Sequence, residues 1–263
     1  MAEHRWWVDQ LSAAPRPSVT LSLVTPLQLS PGGSGAFLGL ASDGLEYWIK
    51  PAQNPQGIKT LGAEVIVAAI GQSLGAPVRP VSLISVPESL QTWPYRDHYV
   101  LNDLPAHASL DLGKAFVALD WEHTEDDHNS VRQALLYVLW DLCLGGDPQW
   151  LHDVDRDLSI WSFDHGFWLG GDGDWDAATL IPIGDRAWQY DLDLADMSST
   201  GLRDASAAVR SLTDSQILTA ISGVPLEWGI PIGDLGAVGW LLSERREAVA
   251  GRALQLADSV IFP

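Results

Sequence analysis

The chain has 263 residues, of which 46% are hydrophobic and 19% charged, and its 34 acidic residues against 15 basic ones give a formal net charge of -19. This length and composition fit one large folded domain or two small ones and exclude a disordered or fibrous polypeptide. The negative charge repels nucleic-acid phosphates and anionic lipid, and no basic patch interrupts it, so neither nucleic acid nor a membrane surface is expected as a partner.

At the N-terminus, Met1-Ala2-Glu3-His4-Arg5-Trp6-Trp7 lacks the basic segment and apolar run of an export signal, and no stretch has the length of a membrane span. Val19–Val24 reads as a strand from its β-branched residues. Ala36–Ala41, the turn Ser42-Asp43-Gly44 and Leu45–Lys50 read as a hairpin. Asn54-Pro55-Gln56-Gly57 is a turn signal, and the spacing of Leu61, Val65, Ala68, Ala69 and Gln72 predicts a helix that stops at Gly75. Val78–Val86 and His98–Leu101 supply two further strands, with Pro80 placing the first at a sheet edge.

Beyond residue 104 the pattern turns helical. Val131, Ala134, Leu135, Val138, Leu139 and Leu142 form an apolar stripe on a helix over 130–144, N-capped by Ser130 and closed by Gly145-Gly146. Cys143 is the only cysteine, which excludes an intrachain disulfide and multi-cysteine zinc and fits a reducing cytoplasm. Leu158–Phe163 reads as a strand ending at Asp164, Asp155-Arg156-Asp157 as a hairpin turn, and 170–176 as an acidic, glycine-rich surface loop. Helices are expected over 213–223 and 232–260. Ser243-Glu244-Arg245-Arg246-Glu247 reads as a solvated helix face with local ion pairs. The division that follows is an N-terminal lobe of sheet plus one helix over 1–103 and a mainly helical lobe over 104–263.

Five elements in chain order carry the chemistry: Gly32-Gly33-Ser34-Gly35, Lys50, Glu64, Asp147 and Asp164 in Asp164-His165-Gly166. Phosphoryl transfer needs bare backbone amides over the phosphates, an ammonium held by a carboxylate, one Asp near the acceptor and a last Asp for magnesium. Taken singly, each has an ordinary alternative: a flexible hairpin turn, a surface lysine, an exposed helix Glu and two turn aspartates. The glycine spacing is neither G-x-G-x-x-G nor a Walker loop, which excludes dinucleotide-binding and P-loop architectures. Asp172-Gly173-Asp174-Trp175-Asp176 begins like a calcium loop, but Ala177 replaces the sharp-turn glycine and Ile183 the bidentate glutamate. His123, Asp126, Asp127 and His128 have metal-ligand residue types without a metal-binding spacing.

Tyr47-Trp48-Ile49-Lys50, Asn54-Pro55-Gln56-Gly57, Leu61-Gly62-Ala63-Glu64, Leu74-Gly75-Ala76-Pro77-Val78 and Phe163-Asp164-His165-Gly166 together resemble the HipA-like kinase family, in particular its short bacterial members. The resemblance covers about a third of the chain, densest over 45–87 and resuming over 131–168. It implies an α+β, bilobal protein-kinase-like fold with a small antiparallel sheet and ATP bound between the lobes. Lys50 matches the lysine that grips the phosphates, Glu64 its helix partner, and Asp164 the magnesium ligand. His165 stands where an aromatic is usual in that element.

Of the family's Asp-Arg-His-x-x-Asn catalytic loop, Gly146-Asp147-Pro148-Gln149-Trp150-Leu151-His152 keeps only Asp147. Asp147 is the group to orient or deprotonate the acceptor. The second magnesium ligand is left to His152, or to Gln149, whose oxygen suits the hard ion better. Thirteen tryptophans run through the whole chain, mostly as core, with Trp150 and Trp168 beside the catalytic and metal loops. The expectation is an ATP- and magnesium-dependent phosphotransferase with a protein or small molecule as acceptor. The alternative is a pseudokinase or nucleotide-binding scaffold whose metal site is incomplete.

Overall fold

Alternating apolar residues, the 30–36 loop and one tight turn fold the first part of the chain into a meander. β1 (Leu21–Leu29), β2 (Phe37–Ala41) and β3 (Glu46–Lys50) pair antiparallel in sequence order. The 42–44 turn forms as expected, with Asp43 Oδ1 accepting the Leu45 amide and the Gly44 amide donating to Ala41. Leu23, Phe37 and Ile49 turn inward and are buried. The computed structural model describes residues 2–171, 173–188 and 197–259.

β4 (Val81–Ser85), β5 (Pro94–Arg96), β6 (Tyr99–Val100) and β7 (Ala106–Leu110) follow. The sheet closes into a barrel in the order β1-β2-β3-β7-β4, while β5 and β6 make a separate ribbon. Two expectations are corrected here. The sheet is not wholly antiparallel, since β4 runs parallel to β1. Pro80 does not mark an edge: it precedes β4, which has neighbours on both sides, and its carbonyl accepts the Leu110 amide. β7 lies beyond residue 103 and completes the barrel.

Between β3 and β4 runs α2 (Ile58–Leu74), starting after the 54–57 turn and ending at Gly75, whose φ of 73° is the left-handed conformation of a helix C-cap. Its side chains are apolar on almost every face. It is accordingly buried, packed against β4 and β7 of the barrel and against α3 (Asn129–Leu142) and α6 (Asp214–Ser222). The helix therefore sits between two cores.

α3 begins one residue before Ser130, and Ser130 is not its cap. His128 occupies that position with φ 58° and no side-chain cap bond. Asn129 instead binds the carbonyls of His123 and Leu158 and accepts the Ile160 amide, which fixes the helix start to a neighbouring strand. A second sheet has the order β10-β9-β8, built from β8 (Ala115–Ala118), β9 (Trp150–Asp153) and β10 (Ser159–Ser162). Residues 155–157 make the turn between β9 and β10, as expected.

The remaining helices are α1 (Ala2–Ala13), α4 (Ala177–Leu180), α5 (Ser199–Ser211) and α7 (Ile232–Ser259). Val260, expected to end the last helix, lies outside the described residues. Trp7 of α1 lies against Gly239 of α7 so closely that a Cβ there would stand 2.4 Å from the indole.

Arg245 is not on a solvated face. It is fully buried, bonded to the Asp141 carboxylate and to the carbonyls of Asp141, Gly184 and Arg186. Nor is all of 170–176 surface: Trp175 is buried and donates to the Lys59 carbonyl, while Asp172 lies outside the described residues.

Candidate functional site

Lys50 ends β3, Glu64 lies on the second turn of α2, and Asp164 follows β10 by two residues in a left-handed conformation with φ 56°. The three meet. Lys50 Nζ bonds Glu64 Oε1 and also Asp164 Oδ1, the latter at 2.6 Å. The other Glu64 oxygen accepts the His165 amide at 3.0 Å, with His165 Nδ1 at 3.7 Å and His107 Nε2 at 4.0 Å. His165 is packed and bonded to Ser162 Oγ through Nε2.

One ammonium faces two carboxylates. Burial opposes the Lys50 charge, but Glu64 and then Asp164 outweigh it and hold the amine above its ordinary value. Burial likewise disfavours ionised Glu64, yet Lys50, His107 and His165 bring its carboxyl well below the usual range. Asp164 goes the other way: burial and the Glu64 and Asp147 charges exceed the pull of Lys50 and raise it. Burial depresses His107 and His165 to about 4 despite Glu64, so both rings are neutral near pH 7.

Beside this cluster opens a cavity of about 540 Å³. Its lining brings together Gly32, Gly33 and Ser34, the Lys50, Glu64 and Asp164 cluster, and Asp147 and Gln149. Gly35 does not line it, and a Cβ at that position would stand 3.1 Å from the Tyr95 ring. The loop is braced by Arg96 Nη1, which donates to the Gly32 carbonyl at 2.6 Å, and by Ser30 Oγ, which accepts the Gly32 amide.

Asp147 is exposed in a left-handed conformation, and its Oδ2 accepts from Gln149 Nε2 at 2.8 Å, leaving the Gln149 amide oxygen available. His152 is corrected as a metal ligand. Strand alternation turns Leu151 to the cavity and His152 to the opposite face, where it is fully buried, stacked on Phe116 and bonded through Nδ1 to the Leu158 carbonyl. Trp150 and Trp168 are core residues; Phe163 and Phe167 line the cavity instead. Among the described residues no three His, Cys, Asp or Glu side chains gather as a metal cluster, the 123–128 stretch included. There His123 pairs with Asp126, and Arg132 with Asp127.

Arg79, Trp48 and Asp111 are cavity residues to which the sequence assigned no role. Arg79 is buried, its guanidinium donating to the carbonyls of Ser109 and Leu110 at the end of β7, and burial lowers it to about 10. Trp48 Nε1 donates to Asp111 Oδ1 at 2.8 Å, and both residues line the cavity. The legible signal for Arg79 was its position as the single charge within 76–86.

No protein-family model matches the chain, and no curated protein matches it. Among solved structures, the proinflammatory kinase CtkA of Helicobacter pylori is similar with a TM-score of 0.60 at 12% identity, over 91% of this chain and 99% of that one. The Golgi casein kinase is similar at 0.49 and 14% identity, over 97% and 75% of the two chains. Its form with Mn/ADP bound is similar at 0.48 and 11%, over 98% and 78%. At TM-scores under 0.5 these two add nothing to the assignment, which rests on the first: the chain has a kinase-like fold.

Proposed function

We propose that this chain is an ATP- and magnesium-dependent phosphotransferase of the HipA-like kind. The observation that carries the reading is Lys50 held between Glu64 and Asp164 in the lining of a cavity shared with the 32–34 loop. In this reading the amides of Gly33 and Ser34 cradle phosphate oxygens, and the Lys50 ammonium grips them once Asp164 yields part of its hold. Glu64 keeps that ammonium charged and in place. In the transfer, the acceptor hydroxyl oxygen bonds the γ-phosphorus as the bond to the β,γ-bridging oxygen breaks, ADP leaves, and Asp147 takes the hydroxyl proton.

The donor set fits magnesium. Asp164 and the Gln149 amide present hard oxygens, and magnesium is ordinarily held by one or two carboxylates together with substrate phosphates. An excess of negative charge at Asp164 favours a cation there. When bound, the ion supplies charge neutralisation between the β- and γ-phosphates. We divide the chain into two lobes that face each other across this cavity, and place the crossing between them after Leu110, where the barrel's last strand ends.

The second reading, a pseudokinase or nucleotide-binding scaffold, is favoured by one observation: with His152 facing away, Gln149 is the sole remaining candidate for the second metal oxygen in the 147–152 loop. Thermal shift with ATP and magnesium, followed by ATP turnover or autophosphorylation, separates the two. A magnesium-dependent rise in melting temperature and turnover lost in Asp147→Asn support the enzyme. Binding without turnover supports the pseudokinase, and absence of binding refutes both.

A further inference from the structure

β8 is the outer strand of its sheet, and among the described residues no backbone group of 115–119 bonds outside the β9 ladder. Free edges are ordinarily guarded by lysine, proline, a bulge or a covering loop. This one carries Phe116 and Val117 and continues into Leu119, which are 38%, 53% and 66% exposed. Register with β9 sets Val117 opposite Leu151, and both line the cavity shared by Lys50, Asp147 and Asp164. The edge therefore runs along the cavity's rim.

The charge around it is predominantly negative, and its cations Lys114 and Arg156 each stand beside a carboxylate. Exposed Asp120, Glu122 and Glu125 follow the strand, while Lys114 stands 4.0 Å from Asp155. The chain as a whole carries -19. A four-residue edge offers few ladder bonds, so a partner strand needs apolar contact with Leu119 and Val117 and attraction to the carboxylates to remain bound.

We propose that β8 is a docking edge for an extended, basic polypeptide, which adds to the sheet as a fourth strand and presents its own hydroxyl to the cavity mouth. Backbone pairing supplies the binding, and alternate side chains of the added strand meet the Val117 and Phe116 faces. Strand addition stands on the edge alone, whereas the hydroxyl's fate rests on the phosphotransferase reading above.

The probe is a fluorescent peptide alternating lysine and valine about one serine, compared with its glutamate-for-lysine counterpart and with versions N-methylated at alternate residues in either register. The lysine peptide is expected to bind, more weakly at high salt, and to slow amide exchange at 115–119. N-methylation in one register should weaken it about tenfold and in the other leave it unchanged. Leu119→Lys, at an exposed position, should weaken it similarly with no change in melting temperature.

Equal binding in both methylated registers, or preference for the glutamate peptide, overturns the proposal. So does concentration-dependent self-association that protects 115–119 without peptide, since a second copy then covers the edge. Thermal shift with ATP and magnesium is run on the same preparation. A nucleotide shift without peptide protection refutes the docking edge alone, and peptide protection without a nucleotide shift refutes the phosphotransferase reading alone.

Discussion

The backbone amide of His165 donates to the Glu64 carboxylate at 3.0 Å, so the turn that carries Asp164 is tied directly to α2. Glu64 thus organises both its partner lysine and the backbone of the opposite element. In Glu64→Gln the amide keeps an acceptor but Lys50 loses one of two carboxylates. The expected loss is about 1.5–3 kcal/mol, the range for a hydrogen bond to a charged group, read as a lower urea midpoint with unchanged slope.

Arg245 and Asp141 form a buried pair whose other bonds go to three backbone carbonyls. Arg245→Met leaves those carbonyls without their donor and Asp141 with Arg252 and the Trp188 amide. Destabilisation of about 3–5 kcal/mol is expected by chemical denaturation. Arg245→Lys should not restore stability, because an ammonium cannot reproduce the guanidinium's planar fork.

Cys143 is fully buried, and that burial raises its thiol above the ordinary value. Thiolate is the reactive form, so the native protein should resist a thiol-modifying disulfide reagent at pH 8 and react fully once denatured. Native-state labelling as fast as in the denatured chain would contradict the core position.

Stability should fall on the acid side through His107. Its ring is held at about 4, against an ordinary 6.5, by burial; Glu64 favours the proton, while Lys50, His165 and Arg79 oppose it. The unfolded chain therefore takes up a proton near pH 6.5 that the folded protein refuses until about pH 4. The contribution of the neutral ring is complete above 6.5 and lost as pH drops from 6.5 toward 4. Urea midpoints across that window should fall less steeply in His107→Gln than in the parent.

The Lys50–Glu64–Asp164 cluster was legible because each member ends or begins a strongly patterned element: a hairpin, an apolar helix, a short strand. Local pattern fails where distant partners decide. β7 reads Ala-His-Ala-Ser-Leu, a poor strand sequence, and forms because β3 and β4 flank it on both sides. Arg245 looks like part of a solvated charge run, and its carboxylate partner lies 104 residues away. Ser130 has the chemistry of a cap, but Asn129 makes better use of the helix start by reaching β10. His152 stood at a plausible spacing, yet a one-residue change in strand parity decides which face it serves.

Because α2 is wedged between the barrel and the helical core from Thr60 to Ile70, with nearly every side chain there enclosed, it has little room to swing. Rotating it would open voids on two sides at once, which close-packed interiors resist. The Glu64 carboxylate is thus preset rather than recruited. On the proposed phosphotransferase reading, control over this centre falls to whatever admits reactants at its mouth, not to displacement of the helix behind it.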